Sequence, residues 1–96
     1  MLTGKQRSYL RGLANGIEPI MQIGKGQVTE TVLKQIDDAL EAREIIKINV
    51  LNNSMLDIKI TANEVAEAVG AEYVQSIGNK FVIYRESKEK NIQLPK

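Results

Sequence analysis

The chain contains no cysteine and no histidine. The first absence excludes a disulfide framework and a thiolate metal site; the second removes the usual general base near neutral pH and the commonest metal ligand. Most hydrolytic and metal-dependent chemistry is thereby set aside, and neither a cofactor nor a metal is expected. Aromatic residues are limited to Tyr9, Tyr73, Phe81 and Tyr84. No apolar run approaches the ~20 residues that span a bilayer, and the amino terminus has no apolar core behind its basic residues. A soluble cytoplasmic protein without a membrane partner is expected.

At 96 residues the chain is one domain, residues 1–96, in which folding buries only roughly 60 to 65% of the unfolded surface. A two-layer fold without an internal cavity is expected. The net charge is +1, which by itself argues against nucleic acid, but distribution decides where an anion would sit. Residues 1–26 carry Lys5, Arg7, Arg11 and Lys25 against Glu18 alone, whereas Glu30, Asp37, Asp38, Glu41 and Glu44 outweigh Lys34 and Arg43 in the centre. A locally basic region lies under a neutral average.

The stretch Ile23-Gly24-Lys25-Gly26-Gln27-Val28-Thr29 reads as a strand-to-helix turn. Glycine has no Cβ to hold another molecule away, so the backbone N–H groups of Gly24 and Gly26 are open to a phosphate. The following helix adds unpaired N-terminal donors and the positive end of its dipole. Lys25 supplies a full charge. The same residues also suit a turn that needs glycine for backbone geometry alone, with a solvated lysine at its tip.

Taken in order, Thr3 and Gln6 form a capping-box pair, predicting a first helix over Thr3–Ala14. Its apolar stripe is Leu10, Leu13 and Ala14; Arg7 and Arg11 stack on one flank, Lys5 and Tyr9 on the other. Gly16 is expected to end the helix in the left-handed conformation. A first strand over Ile17–Ile23 leads into the glycine loop. A second helix is predicted over Thr29–Arg43, with Val28, Val32, Leu33, Ile36, Ala39 and Leu40 on one face and Glu30, Lys34, Asp37, Asp38 and Glu41 on the other. The clustered carboxylates read as a solvated helix face.

Ile45–Leu51 is the clearest strand, with Lys47 and Asn49 pointing to one side. Residues 52–61 fit both strand alternation and the helical spacing of Ile58, Ala62, Val65, Ala66 and Val69; the longer pattern predicts a helix over Met55–Val69, ending at Gly70. Strands over Glu72–Ile77 and Phe81–Arg85 flank a Gly78-Asn79-Lys80 turn, making a hairpin. The tail, residues 86–96, shows no pattern beyond Ile92 and Leu94 and is expected to be loosely ordered. The order is α-β-α-β-α-β-β, an α/β fold in which helices cross between parallel strands and the hairpin adds an antiparallel strand, giving a mixed four-stranded sheet.

Several stretches together resemble the CRM (chloroplast RNA splicing and ribosome maturation) family in its single-domain, YhbY-like bacterial form: Leu2-Thr3-Gly4-Lys5-Gln6-Arg7 with Leu10-Arg11, Gln22-Ile23-Gly24-Lys25-Gly26, Glu44-Ile45-Ile46-Lys47, Ile77-Gly78 with Val82-Ile83-Tyr84-Arg85, and Ile92-Gln93-Leu94-Pro95. The resemblance implies an RNA-binding domain similar to the C-terminal domain of bacterial translation initiation factor three, associated with precursors of the large ribosomal subunit. At the loop it implies a Gly-x-x-Gly signature likened to the phosphate-clamping loop of KH domains. This chain departs from it: the fourth position counted from Gly24 is Gln27.

The sequence thus predicts a non-catalytic RNA-binding protein, expected to be a monomer, that assists assembly of the large subunit. Lys25 and the backbone of Gly24, Gly26 and Gln27 would meet phosphates, with Lys5, Arg7, Arg11 and Arg85 extending the basic surface. With so few aromatics, recognition by backbone and shape is expected over recognition by base. The alternative is a protein-interaction module docking on a ribosomal protein through the acidic face of the second helix.

Overall fold

A computed structural model describes residues 2–24, 28–51, 57–88 and 92–95. Seven elements follow the expected order: α1 (Gly4–Ala14), β1 (Pro19–Ile23), α2 (Glu30–Arg43), β2 (Ile45–Val50), α3 (Ile58–Val69), β3 (Glu72–Ile77) and β4 (Lys80–Tyr84).

Each helix begins where a side-chain oxygen satisfies a free backbone donor. Thr3 Oγ1 accepts from Gln6 N at 3.1 Å while Gln6 Oε1 accepts from Thr3 N at 3.0 Å, the reciprocal capping box. Thr29 Oγ1 accepts from Val32 N at 3.2 Å. Asp57 Oδ1 accepts from Ile60 N at 3.0 Å, so α3 starts at Ile58 and not at Met55; Met55 and Leu56 lie outside the described residues.

The helix ends differ from one another. Gly70 adopts the left-handed conformation expected of a glycine after a helix, φ 69°. Gly16 does not: α1 ends on a right-handed Asn15, and Gly16 N and Ile17 N bond back to Leu13 O and Ala14 O, tightening the last turn. The end of α2 is the unusual one, because Glu44 takes φ 67° with a full side chain. Such a conformation costs a non-glycine residue about 1 to 3 kcal/mol. Its compensation is visible in the bonds it makes. Glu44 Oε2 accepts from Ser87 N at 2.9 Å and Ser87 Oγ at 2.6 Å, Oε1 accepts from Ile92 N at 2.6 Å, and Glu44 O accepts from Arg85 N. A fully buried carboxylate thereby ties the C-terminal segment to the domain.

The strands form one sheet in the order β1-β2-β4-β3. β1 and β2 are parallel, joined across α2; β4 runs antiparallel to both β2 and β3. The α3 crossover therefore leads from β2 to a strand of the same direction, with β4 inserted between them. The hairpin turn is two residues, Gly78 and Asn79, with positive φ at Gly78 only, as a type II′ turn requires. Lys80 consequently belongs to β4, which ends at Tyr84 and leaves Arg85 beyond it.

Strict alternation along β2 and β4 sorts the apolar side chains to two faces. Ile46, Ile48, Val50, Phe81 and Ile83 meet Ile36 and Leu40 of α2 and Ala62, Val65 and Ala66 of α3 in the main core. α2 and α3 thus form one helical layer against this face of the sheet. On the reverse face, Ile45, Val74, Val82 and Tyr84 pack with Leu10 and Ala14 of α1, and Leu2, Leu13, Ile17, Ile92 and Leu94 close around them. α1 and the C-terminal segment thus cover the reverse face near the start of β2. The reverse face near the other end of β2 carries polar side chains.

Candidate nucleic-acid interface

That polar end of the sheet lies beside the glycine loop. Pairing places Gln22 of β1 opposite Asn49 of β2, Asn49 opposite Lys80 of β4, and Lys80 opposite Ile77 of β3, a row crossing all four strands. The next row is Pro19, Lys47, Val82 and Gln75. Gly24 follows β1 directly, and the N-termini of α2 and α3 begin at this same end of the sheet. The hairpin turn joins it as well: Val50 N donates to Asn79 O at 2.7 Å and Asn79 Nδ2 donates to Val50 O at 3.0 Å.

Lys25, Gly26 and Gln27, three of the expected site residues, lie outside the described residues. What the structure fixes is their two anchors. Upstream, Leu51 N donates to Ile23 O at 2.9 Å, holding the end of β1 against the continuation of β2. An added Cβ at Gly24 would stand 2.6 Å from Leu51 Cδ1, so a side chain here would require the Leu51 side chain to shift. Downstream, the Thr29 cap opens α2. The loop therefore joins a strand end to a helix N-terminus, where an anion is electrostatically favoured.

The other expected residues divide into two groups. Lys5 and Arg11 are exposed on α1 and have no ion-pair partner among the described residues. Arg7 is partly buried and donates from Nη1 to Tyr73 O at 3.1 Å, bracing α1 against the β3 edge. Arg85 is further committed. Its Nη1 lies 2.6 Å from Asp37 Oδ1 and donates to Val69 O at 2.8 Å, while Nη2 donates to Asp37 O at 3.0 Å and lies 3.7 Å from Glu41 Oε1. One guanidinium locks the end of β4 to α2 and to the last residue of α3, away from the loop end of the sheet.

The same bonds bear on the acidic face of α2. Asp37 and Glu41 face Arg85, Glu41 Oε2 accepts from Lys88 N, and Asp38 pairs with Lys34 at 3.7 Å. Much of that face is neutralised within the molecule.

Lys47, Lys80, Gln22 and Asn49 were not among the expected site residues. A signal existed: Lys47 and Asn49 interrupt an otherwise apolar strand at alternate positions, as they would on a sheet face that no helix covers. Among the described residues no group of His, Cys, Asp and Glu is arranged to hold a metal, and no helix is long and apolar enough to cross a membrane.

Comparison with known proteins agrees with this architecture. Residues 2–85 match the model of the CRS1/YhbY (CRM) domain. The chain belongs to that family. It is 49% identical over 96 residues to YqeI of Bacillus subtilis, described as a probable RNA-binding protein, covering 99% of this chain and all of that one. It is 37% identical over 95 residues to an RNA-binding protein of Haemophilus influenzae, covering 99% and 96% of the two chains. The solution structure of a hypothetical Staphylococcus aureus protein, offered as a candidate RNA binder, superposes with a TM-score of 0.84 at 57% identity and covers 99% of this chain and all of that one. The CRM membership expected from the scattered motifs is thus established, together with the mixed four-stranded α/β fold.

Proposed function

We propose that this CRM domain binds RNA at the loop end of its sheet, without catalysis, and that its RNA is ribosomal RNA in precursors of the large subunit. The carrying observation is the convergence there of Gly24 and the N-terminus of α2, the two anchors of the glycine loop, with lysines 47 and 80, which have no ion-pair partners among the described residues. Relatives at 49% and 37% identity that are named for RNA binding support the ligand class. Lys5 and Arg11 extend the cationic surface along α1; Arg7 and Arg85 serve mainly to hold elements together. The backbone of Gly24, Gly26 and Gln27 approaches phosphate, and Lys25 neutralises it. The role in the cell is that of an assembly factor in the cytoplasm, acting as a monomer.

Sucrose-gradient sedimentation of an extract containing a tagged copy tests the ribosomal part of the reading. The tag is expected with large-subunit precursors, and to leave them when Lys25→Ala and Arg11→Glu are combined. A tag that remains at the top of the gradient, or that persists on precursors in the double variant, contradicts it.

A further inference from the structure

Resting on the reading that the chain binds RNA, we propose that a groove on the open sheet face seats one unpaired nucleotide and contacts its base through carboxamides. A concavity of about 470 Å³ is lined by Pro19, Ile20, Met21, Gln22, Asn49 and Lys80. That volume lies within the ~300 to 1,000 Å³ range of small-ligand pockets. Two residues of strand, about 7 Å, separate Gln22 from Gly24, so a nucleotide next to a phosphate held at the loop is within reach of the groove.

The lining has the chemistry a base needs without an aromatic platform. Pro19, level with Lys47 on this face, gives an apolar flank; Ile20 and Met21 border the groove while packing toward the main core on the other face. Gln22 and Asn49, opposite each other across parallel strands, each carry a donor and an acceptor, matching the paired donor and acceptor on a base edge. Lys80, next in the same row, and Lys47, one row behind, supply charge for the flanking phosphates. Asn49 adds a second observation. Its Oδ1 is shielded from solvent and has no hydrogen-bond partner among the described residues, a condition that ordinarily costs stability and that functional sites retain. Rotation of that carboxamide toward a base edge gives the acceptor its missing donor. Duplex RNA does not fit, because its bases are paired and stacked; a single strand does.

The test compares, by fluorescence anisotropy, a random-sequence RNA hexamer with an abasic ribose-phosphate hexamer of the same charge. The wild-type chain is expected to bind the base-bearing strand at least ~5-fold more tightly. In Gln22→Ala combined with Asn49→Leu, that ratio is expected to fall toward one; Gln22→Ala alone, at an exposed position, lowers it part-way and serves if the double variant fails to fold. Lys25→Ala weakens both strands by a similar factor. A wild-type ratio within twofold of one, or a ratio indifferent to Gln22→Ala in a folded protein, overturns the nucleotide seat while binding to either strand leaves the RNA reading standing. Binding to neither hexamer nor to a structured ribosomal RNA fragment overturns both.

Discussion

Leu51 occupies the space into which any side chain on Gly24 would project: its Cδ1 lies 2.6 Å from the position of an added Cβ. The first loop glycine thus leaves the room that the Leu51 side chain fills at the join between β1 and β2. Its φ is not in the left-handed region, so a larger residue is opposed by Leu51 and not by the backbone. Gly24→Ala is expected to destabilise the domain by up to about 1 kcal/mol, because the added methyl must displace the end of the Leu51 side chain. Leu51→Ala, which empties the contested space, should remove most of that cost in a double-mutant cycle read by urea unfolding. Additive losses would mean that Leu51 does not oppose the methyl group.

Arg85 gives the second prediction. Its guanidinium joins Asp37, Glu41 and Val69 O with its side chain only 20% exposed. Arg85→Ala should cost about 2 kcal/mol of stability by leaving those acceptors without their charged donor. RNA affinity of the folded variant, measured below its melting temperature, should stay within twofold of wild type. A large loss of affinity with little loss of stability would return Arg85 to the binding surface.

The Glu44 carboxylate makes the C-terminal segment the third test. Glu44→Gln keeps the shape but turns an amide donor toward either Ser87 N or Ile92 N, each of which can only donate. Amide hydrogen exchange at Ser87 and Ile92 is expected to rise by more than tenfold in this variant, with the centre of the sheet little changed. Equal acceleration everywhere would show global unfolding instead of release of the segment.

Tyr84 carries a pH dependence. Burial, with the charges of Glu44 and Glu86 nearby, pushes its hydroxyl above the ordinary tyrosine value of 10.0. The fold therefore favours the neutral phenol. Its contribution is complete below the unfolded value and is lost as pH rises through the raised folded value. The hydroxyl is also buried without a hydrogen-bond partner among the described residues. Tyr84→Phe should be more stable than wild type by about 1 kcal/mol at neutral pH, and the gap should widen above about pH 10. A gap that narrows with alkalinity would contradict the burial of this hydroxyl.

The capping box of Thr3 and Gln6, the Thr29 cap and the alternation of Ile46, Ile48 and Val50 were legible because each rests on local geometry or on a period. Less legible was what depends on partners far along the chain. The spacing of Arg7 and Arg11 marks a helix flank but not that Arg7 reaches Tyr73 O across 66 residues. Arg85 reads as one more cation until Asp37, 48 positions away, is placed against it. Glu44 breaks the expectation that glycine follows a helix, and its reason lies at Ser87 and Ile92. The open end of the reverse sheet face follows from how far α1 extends over it, which no local pattern records. Lys47 and Asn49 announced a polar side of β2; only the register with Gln22 and Lys80 turned that side into a surface.

The central claim, that the loop end of the sheet binds RNA through phosphates, is tested most directly by the salt dependence of affinity for a single-stranded RNA. With three to five phosphates neutralised among Lys5, Arg11, Lys25, Lys47 and Lys80, the plot of log affinity against log salt should have a slope of about −2 to −4. Lys25→Ala should lower the affinity and make that slope shallower by about 0.7, one phosphate's share on a single strand. A wild-type slope near zero, or a Lys25→Ala line that overlays the wild type, would contradict the account.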